Sequence, residues 1–286
     1  MDPKCLEHRL RADERGQFER DGYLVVPNAL DPEHVERLRA VVDRSHRAAL
    51  AQGLAPHEPW VLRNFLPVDQ AFVDLVDHPR VFPKVWSILG YNIYVYHAHL
   101  GVSPPLGDES VPDSVVKRFH QDSGRVNEEV EGDPRPRLSL KVAYFLEGDP
   151  RPGNGNMWLV PGSHLKNDGA GPLNAEGEPP GAQAVSVAPG SALLFDRRIW
   201  HSKSPNYGPS TRKVLFYGYA YRWLRTKDEM TVQHLYPGLD PIRRQLLGDG
   251  TSADGFYSPT RADLPLLGWL EEHDPQAIKP TKTLFA

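Results

Sequence analysis

Arg212-Lys213-Val214-Leu215-Phe216-Tyr217-Gly218-Tyr219-Ala220-Tyr221 reads as a β-strand with two unlike faces. Alternate side chains on a strand point the same way. One face therefore carries Arg212, Val214, Phe216, Gly218 and Ala220, and the other Lys213, Leu215, Tyr217, Tyr219 and Tyr221. The first face is small and apolar, suited to a barrel interior that holds a ligand. An arginine at its mouth needs an anionic partner, because burying an unpaired charge is very costly. Its planar fork fits a carboxylate with two parallel hydrogen bonds.

Outward from this strand, β-type patterning predicts further strands near residues 91–100, 138–146, 157–160, 184–187, 191–195 and 213–221. Before them the period is helical. Asp31-Pro32-Glu33 supplies an N-cap, a first-turn proline and a first-turn acid. Val35, Leu38, Val42 and Ala49 form the apolar stripe of that helix, and Gly53 stops it. A second helical region is expected around residues 68–90, with Leu75, Val76, Phe82, Val85 and Ile88 in the core. The expectation is one mainly β domain. It has a helical N-terminal layer over about 10–90, an antiparallel β core over about 91–223, and an extension over 224–286.

Composition narrows the function. With 286 residues the chain is long enough to bury a sizeable core. Its formal net charge is −4 and it has no dense basic run, so a nucleic-acid partner is not expected. Cys5 is the single cysteine, which excludes an internal disulfide and a cysteine-ligated zinc or iron–sulfur centre. No apolar run approaches a membrane span, and the charged first thirty residues lack a signal-like apolar core. A soluble, cytoplasmic protein without a membrane partner is expected. The 28 prolines point to many loops.

Phe119-His120-Gln121-Asp122 places a histidine and an aspartate two positions apart, with His201 and then Arg212 further on. Two imidazoles and one carboxylate cap one face of an octahedral metal and leave three positions open, the ligand set of a non-haem Fe(II) oxygenase. A His-x-Asp pair alone proves nothing, since chance gives roughly one in a chain of this composition. On a strand, His120 and Asp122 project together while Gln121 points away. His201 follows the turn Ala188-Pro189-Gly190 and the strand Ser191-Ala192-Leu193-Leu194-Phe195, which puts it near the next antiparallel pairing. The competing reading is a loop histidine beside a turn-forming aspartate. For Arg212 it is a pairing with some other acid, or a solvent-facing strand end.

Taken in order, these pieces resemble the phytanoyl-CoA dioxygenase family of Fe(II)/2-oxoglutarate oxygenases. The matching stretches are Phe18-x-x-Asp21-Gly22-Tyr23-Leu24-Val25, His120-Gln121-Asp122, and Leu140-Lys141-Val142-Ala143-Tyr144-Phe145-Leu146. They continue through Gly155-Asn156-Met157-Trp158-Leu159-Val160-Pro161-Gly162-Ser163-His164, Leu194-Phe195-Asp196, His201, Asn206 and Arg212. The Pro-Gly-Ser-His stretch is the most specific. The resemblance implies a double-stranded β-helix, a jelly-roll or cupin-like core, with supporting N-terminal helices. It implies Fe(II) held by His120, Asp122 and His201, and 2-oxoglutarate gripped through its far carboxylate by Arg212. O2 is the second co-substrate and ascorbate a supporting reductant. The implied reaction hydroxylates an aliphatic C–H of a small metabolite, in secondary metabolism, while 2-oxoglutarate is decarboxylated to succinate.

Secondary expectations follow from the same resemblance. His97 falls where related enzymes commonly offer a glutamine to 2-oxoglutarate, so His97 and Lys141 are expected as further co-substrate contacts. His164 is expected to be structural, Arg125 to be a weaker substrate candidate, and Trp158, Trp200 and Trp223 to be core. The irregular stretches 103–115 and 166–181 are expected as lids or binding loops. The 224–286 extension is expected to pack on the barrel or on a second subunit, giving a monomer or homodimer. Desaturation, cyclisation or epimerisation with the same cofactors is an alternative. Halogenation is disfavoured because Asp122 is present where related halogenases have a small residue. A cupin-like binder using His97 and His99 lacks the nearby glutamate such sites have, since Ser103 and Pro104 stand there.

Overall fold

The computed structural model describes residues 1–106, 117–122, 124–250 and 254–278. Nine strands form two antiparallel sheets among these residues: β1 (Tyr23–Val26), β2 (Trp60–Arg63), β3 (Ile93–Ser103), β4 (Ser139–Glu147), β5 (Met157–Leu159), β6 (Gln183–Val185), β7 (Ala192–Asp196), β8 (His201–Lys203) and β9 (Arg212–Tyr221). The larger sheet has the order β1-β7-β4-β9-β3-β2 and the smaller β6-β5-β8. The two faces of the larger sheet sort by residue alternation, as the β9 sequence implied. Ala143, Phe145, Leu193, Phe195, Val214 and Phe216 meet Met157, Leu159 and Val185 of the smaller sheet in one apolar cluster. The opposite face, with Leu140, Val142, Tyr144, Leu194, Leu215, Tyr217 and Tyr219, joins the helices in a second cluster. The layers are therefore helices, six-stranded sheet and three-stranded sheet.

The helical layer comprises α1 (Ala12–Asp21), α2 (Pro32–Ala51), α3 (Gln70–Val73) and α4 (Phe82–Leu89). The Asp31 carboxylate accepts the His34 N–H at 2.8 Å, so the cap read from sequence starts α2. Val35, Leu38 and Val42 are buried along it, and the chain leaves the helix through Gly53 at φ +101°. The region 68–90 is two short helices rather than one, with bonded turns at residues 74–81 between them. Beyond the sheets, α5 (Gly124–Glu129) lies near the metal residues in sequence, and α6 (Pro241–Leu246) and α7 (Pro265–His273) belong to the extension. Leu246, Leu266 and Leu270 of the extension are fully buried in the helix-side core.

Two expectations change. α-Helices hold more residues than strands, so the protein is mixed rather than mainly β. β2 and β8 were not read from sequence, because strands of three or four residues give too short a window for periodicity. Trp158, Trp200 and Trp223 are not core: each is partly or largely exposed, Trp223 stacks on Tyr221 at the surface, and the fully buried tryptophan is Trp86.

Candidate metal centre and anion pocket

His120 and His201 are held by a single antiparallel bridge in which each backbone N–H donates to the other's carbonyl at 2.9 Å. This differs from the expected strand: only one residue of the 119–122 segment pairs, yet His120 and Asp122 still turn to one side. The Asp122 N–H donates to the Arg197 carbonyl at 2.9 Å, and Asn127 Nδ2 donates to the Asp122 carbonyl at 2.9 Å. Gln121 points away, its amide donating to the Arg198 carbonyl at 2.5 Å. One ligand atom each from His120, Asp122 and His201 lies within 4.8 Å of the others.

Proton positions on the rings follow from their partners. His120 Nδ1 lies 3.0 Å from the Arg118 carbonyl and His201 Nδ1 lies 2.9 Å from the Ile199 carbonyl. A carbonyl only accepts, so both rings carry the proton on Nδ1 and leave the Nε2 lone pair free for a metal. Burial lowers the His201 pKa to about 4 against the opposing pull of Asp122, keeping the ring neutral. Burial works against the Asp122 charge, but Lys141 and then His201 outweigh it and hold the carboxyl well below the usual range. Lys141 Nζ stands 2.8 Å from Asp122 Oδ2, although that oxygen receives no aligned hydrogen bond. A neutral–neutral–anionic donor set with an unsatisfied carboxylate oxygen fits a divalent cation.

A cavity of about 290 Å³ opens beside this cluster, lined by His120, His201, Lys141, Lys203, Arg212 and His99, with Trp60, Met157 and Phe216 as apolar wall. Arg212 is 4 % exposed, and its Nε and Nη2 lack hydrogen-bond partners. No acid pairs with it among the described residues; its neighbour is the Phe145 ring at 5.2 Å. Burial alone lowers its pKa to about 10, so it stays charged at neutral pH. Gly155, at φ +77°, makes room for it: a Cβ there would lie 2.8 Å from Arg212 Cδ. Lys203 sits two residues after His201 and so shares its strand face. Its pKa is lowered by burial and then by Arg212. A larger open groove, about 590 Å³, runs between α2 and the 146–148 and 189–190 turns. It contains none of these residues, and no three ligand-type side chains cluster there among the described residues.

The remaining expected residues fall as follows. His97 does not line the cavity: its two ring nitrogens face Asp228 at 2.8 Å and His99 at 3.0 Å, which leaves none for a co-substrate carboxylate. The β-bulge between Val95 and His97 re-aims this part of β3. His164 is not in the metal cluster. Its Nε2 meets the Glu19 carbonyl at 3.1 Å and its ring packs under Gly22, tying the Pro-Gly-Ser-His turn to the end of α1. Arg125 reaches solvent and pairs with Glu128 and Glu129. The 103–115 stretch lies largely outside the described residues. The 166–181 stretch is irregular and is tethered to Lys117 through Glu178. Lys203 was legible from the i, i+2 rule applied to His201; Asp228 had no sequence signal.

The phytanoyl-CoA dioxygenase (PhyH) family model matches residues 18–214, which include every metal-cluster residue and Arg212. The chain belongs to the PhyH family. It resembles the ectoine dioxygenase of Stutzerimonas stutzeri (strain A1501), 26% identical over 236 residues that cover 72% of this chain and 75% of the relative. Among solved structures, HygX from Streptomyces hygroscopicus with nickel and 2-oxoglutarate bound aligns with TM-score 0.58 at 17% identity, over 76% of this chain and 90% of HygX. The non-haem alpha ketoglutarate dependent carbocyclase SnoK from nogalamycin biosynthesis aligns with TM-score 0.58 at 20% identity, over 81% and 92%. PhyH membership and the His-Asp-His cluster make this protein a non-haem iron, 2-oxoglutarate-dependent dioxygenase. No helix among the described residues is long and apolar enough to cross a membrane.

Proposed function

We propose that this dioxygenase hydroxylates an aliphatic C–H bond of a small, soluble metabolite in the cytoplasm, on a double-stranded β-helix formed by the two sheets. The observation that carries the co-substrate assignment is the buried, unpaired Arg212 guanidinium in the cavity that the metal cluster borders. Such a charge is stable only when an anion completes the site. His120, Asp122 and His201 hold Fe(II), and Arg212 receives the far carboxylate of 2-oxoglutarate. When bound, iron with 2-oxoglutarate and O2 supplies the oxidising power for C–H cleavage, with succinate and CO2 as co-products.

The protein's own residues do the positioning. The two backbone-anchored imidazoles fix the direction of their Nε2 lone pairs, so no ligand has to rotate when metal arrives. Lys141 keeps Asp122 ionised and oriented. Gly155 lets the backbone pass close enough to seat Arg212 without a clash. Met157, Phe195 and Phe216 give the cavity a dry wall, which strengthens each charge interaction within it. Lys141, which lines the cavity beside Asp122, is the further co-substrate contact, whereas His97 stands outside the lining.

The test is anaerobic calorimetric titration of the iron-loaded protein with 2-oxoglutarate, followed by a metabolite screen for stimulated succinate release. Ectoine is the first compound of that screen, since the curated relatives are named for it. Binding of 2-oxoglutarate in the absence of metal as tightly as in its presence would sink the reading that the metal cluster and Arg212 hold the co-substrate together.

A further inference from the structure

One buried and one half-buried histidine, with one acid, stand beside the metal site without a part in holding it. β2 pairs β3 from Val102 back to His99 and no further, which leaves the β3 edge at residues 96–98 open. The chain beyond β9 closes it. The Lys227 N–H donates to the Tyr96 carbonyl at 2.8 Å, and the Thr226 hydroxyl donates to the same carbonyl at 3.0 Å. Asp228 follows, with its side chain 4 % exposed. Its Oδ2 accepts the Ala98 N–H at 2.6 Å, and its Oδ1 lies 2.8 Å from His97 Nδ1. His97 Nε2 lies 3.0 Å from His99 Nδ1. His99 stacks on Phe216, with centroids 4.5 Å apart and planes at 11°, and lines the cavity.

With both rings neutral, these contacts admit one arrangement of protons. A carboxylate only accepts, so His97 carries its proton on Nδ1. Burial is the largest influence on both rings and keeps them neutral, with Lys141 and Lys227 adding to it and Asp228 and Asp122 opposing it. A neutral His97 protonated on Nδ1 is an acceptor at Nε2, so His99 donates to it from Nδ1. The remaining nitrogen, His99 Nε2, is then an acceptor, and no group among the described residues hydrogen-bonds it.

We infer that Asp228 and His97 are positioning residues that hold His99 as a hydrogen-bond acceptor in the cavity wall, for a hydroxyl or ammonium donor of the substrate. This deepens the proposed function and rests on it for the word substrate. A fixed acceptor discriminates strongly. A compound that lacks the donor leaves a desolvated lone pair unpaired, a cost that an apolar wall cannot impose. The acid that fixes it comes from position 228, beyond the residues that the family model matches, so the preference is a feature of this chain's extension.

The decisive variant is Asp228→Asn, which keeps shape but reverses the relay. The Ala98 N–H still needs an acceptor, so the new amide oxygen faces it and the NH2 faces His97 Nδ1. His97 must then hold its proton on Nε2, His99 accepts at Nδ1, and His99 Nε2 becomes a donor. Two-bond 1H–15N correlation spectra of the full chain loaded with Zn(II) and 2-oxoglutarate read these tautomers directly. Both histidines should be Nδ1–H in the wild type and Nε2–H in Asp228→Asn. Cyclohexanol, small enough for the cavity, should shift the wild-type His99 Nε2 resonance saturably, whereas methoxycyclohexane should not. An Nε2–H His99 in the wild type, or an unchanged tautomer in the variant, overturns the relay. Equal responses to the two probes, or none, overturn the substrate contact. Failure to bind Zn(II) or 2-oxoglutarate strikes the proposed function instead, and the tautomers remain readable in the unloaded protein.

Discussion

Arg212 concentrates the energetics of the site, because its charge is buried and the protein gives Nε and Nη2 no hydrogen-bond partner. Arg212→Ala should weaken 2-oxoglutarate binding by roughly 2–5 kcal/mol, the usual cost of breaking a buried charge pair. That corresponds to a Kd raised about 30-fold or more. Metal affinity should hardly change, and removing an unpaired buried charge should leave the free protein at least as stable. Anaerobic calorimetry of the loaded variant checks the first part, and an unchanged Kd would move the anion site towards Lys203. His201→Ala tests the other half of the constellation. It removes a neutral ligand whose direction the Ile199 carbonyl sets. The expected result is a folded protein with metal content reduced well below one equivalent after dialysis, read by elemental analysis.

At the scale of elements, the site depends on backbone that side chains must not crowd. Gly155 stands in the turn before β5 at φ +77°, and an added Cβ would press 2.8 Å from Arg212 Cδ. Gly155→Ala should cost about 1–2 kcal/mol through the left-handed conformation alone. It should also weaken 2-oxoglutarate binding by pushing the guanidinium off its seat, a shift that thermal melts and the same titration separate. The helix-to-strand elements were largely legible: the α2 cap, β4, β7 and β9 lie within a residue or two of their expected positions. β9 was legible because ten alternating residues report both faces. The three-residue β8 was not, and neither was the single bridge that joins it to His120. These short pieces are fixed by their neighbours rather than by their own pattern.

Across the whole molecule, stability at acid pH should depend on a buried histidine far from the metal. His78 lies at the helix–sheet interface, edge-on to His34 and Tyr144, with Nδ1 unpaired. Burial, reinforced by His34 and Arg80, lowers its pKa to about 4. The unfolded chain, with an ordinary pKa near 6.5, binds this proton more readily. Stability should therefore be lost as pH falls from about 6.5 to about 4 and level off below that, by up to about 3 kcal/mol for this group. His78→Leu should flatten that part of the profile in urea denaturation followed from pH 7 to pH 4. An identical slope in the variant would assign the acid sensitivity elsewhere. The extension belongs to the same scale. It packs Leu246, Leu266 and Leu270 into the helix-side core and threads residues 226–228 along β3.

Order along the chain, with the family resemblance it carries, pointed to His120, Asp122, His201 and Arg212 as candidate site residues and to helices layered on an antiparallel core. Each is carried by local periodicity or by a spacing that chemistry requires, and a sequence records both. Tertiary structure decided which neutral and charged groups face one another. Only the packed chain shows that Lys141 serves Asp122, that His164 braces α1, and that His97 spends both ring nitrogens on Asp228 and His99. These are contacts between residues as many as 145 positions apart. No local pattern encodes them, because they arise when independent stretches of chain compete to satisfy the same buried polar atoms.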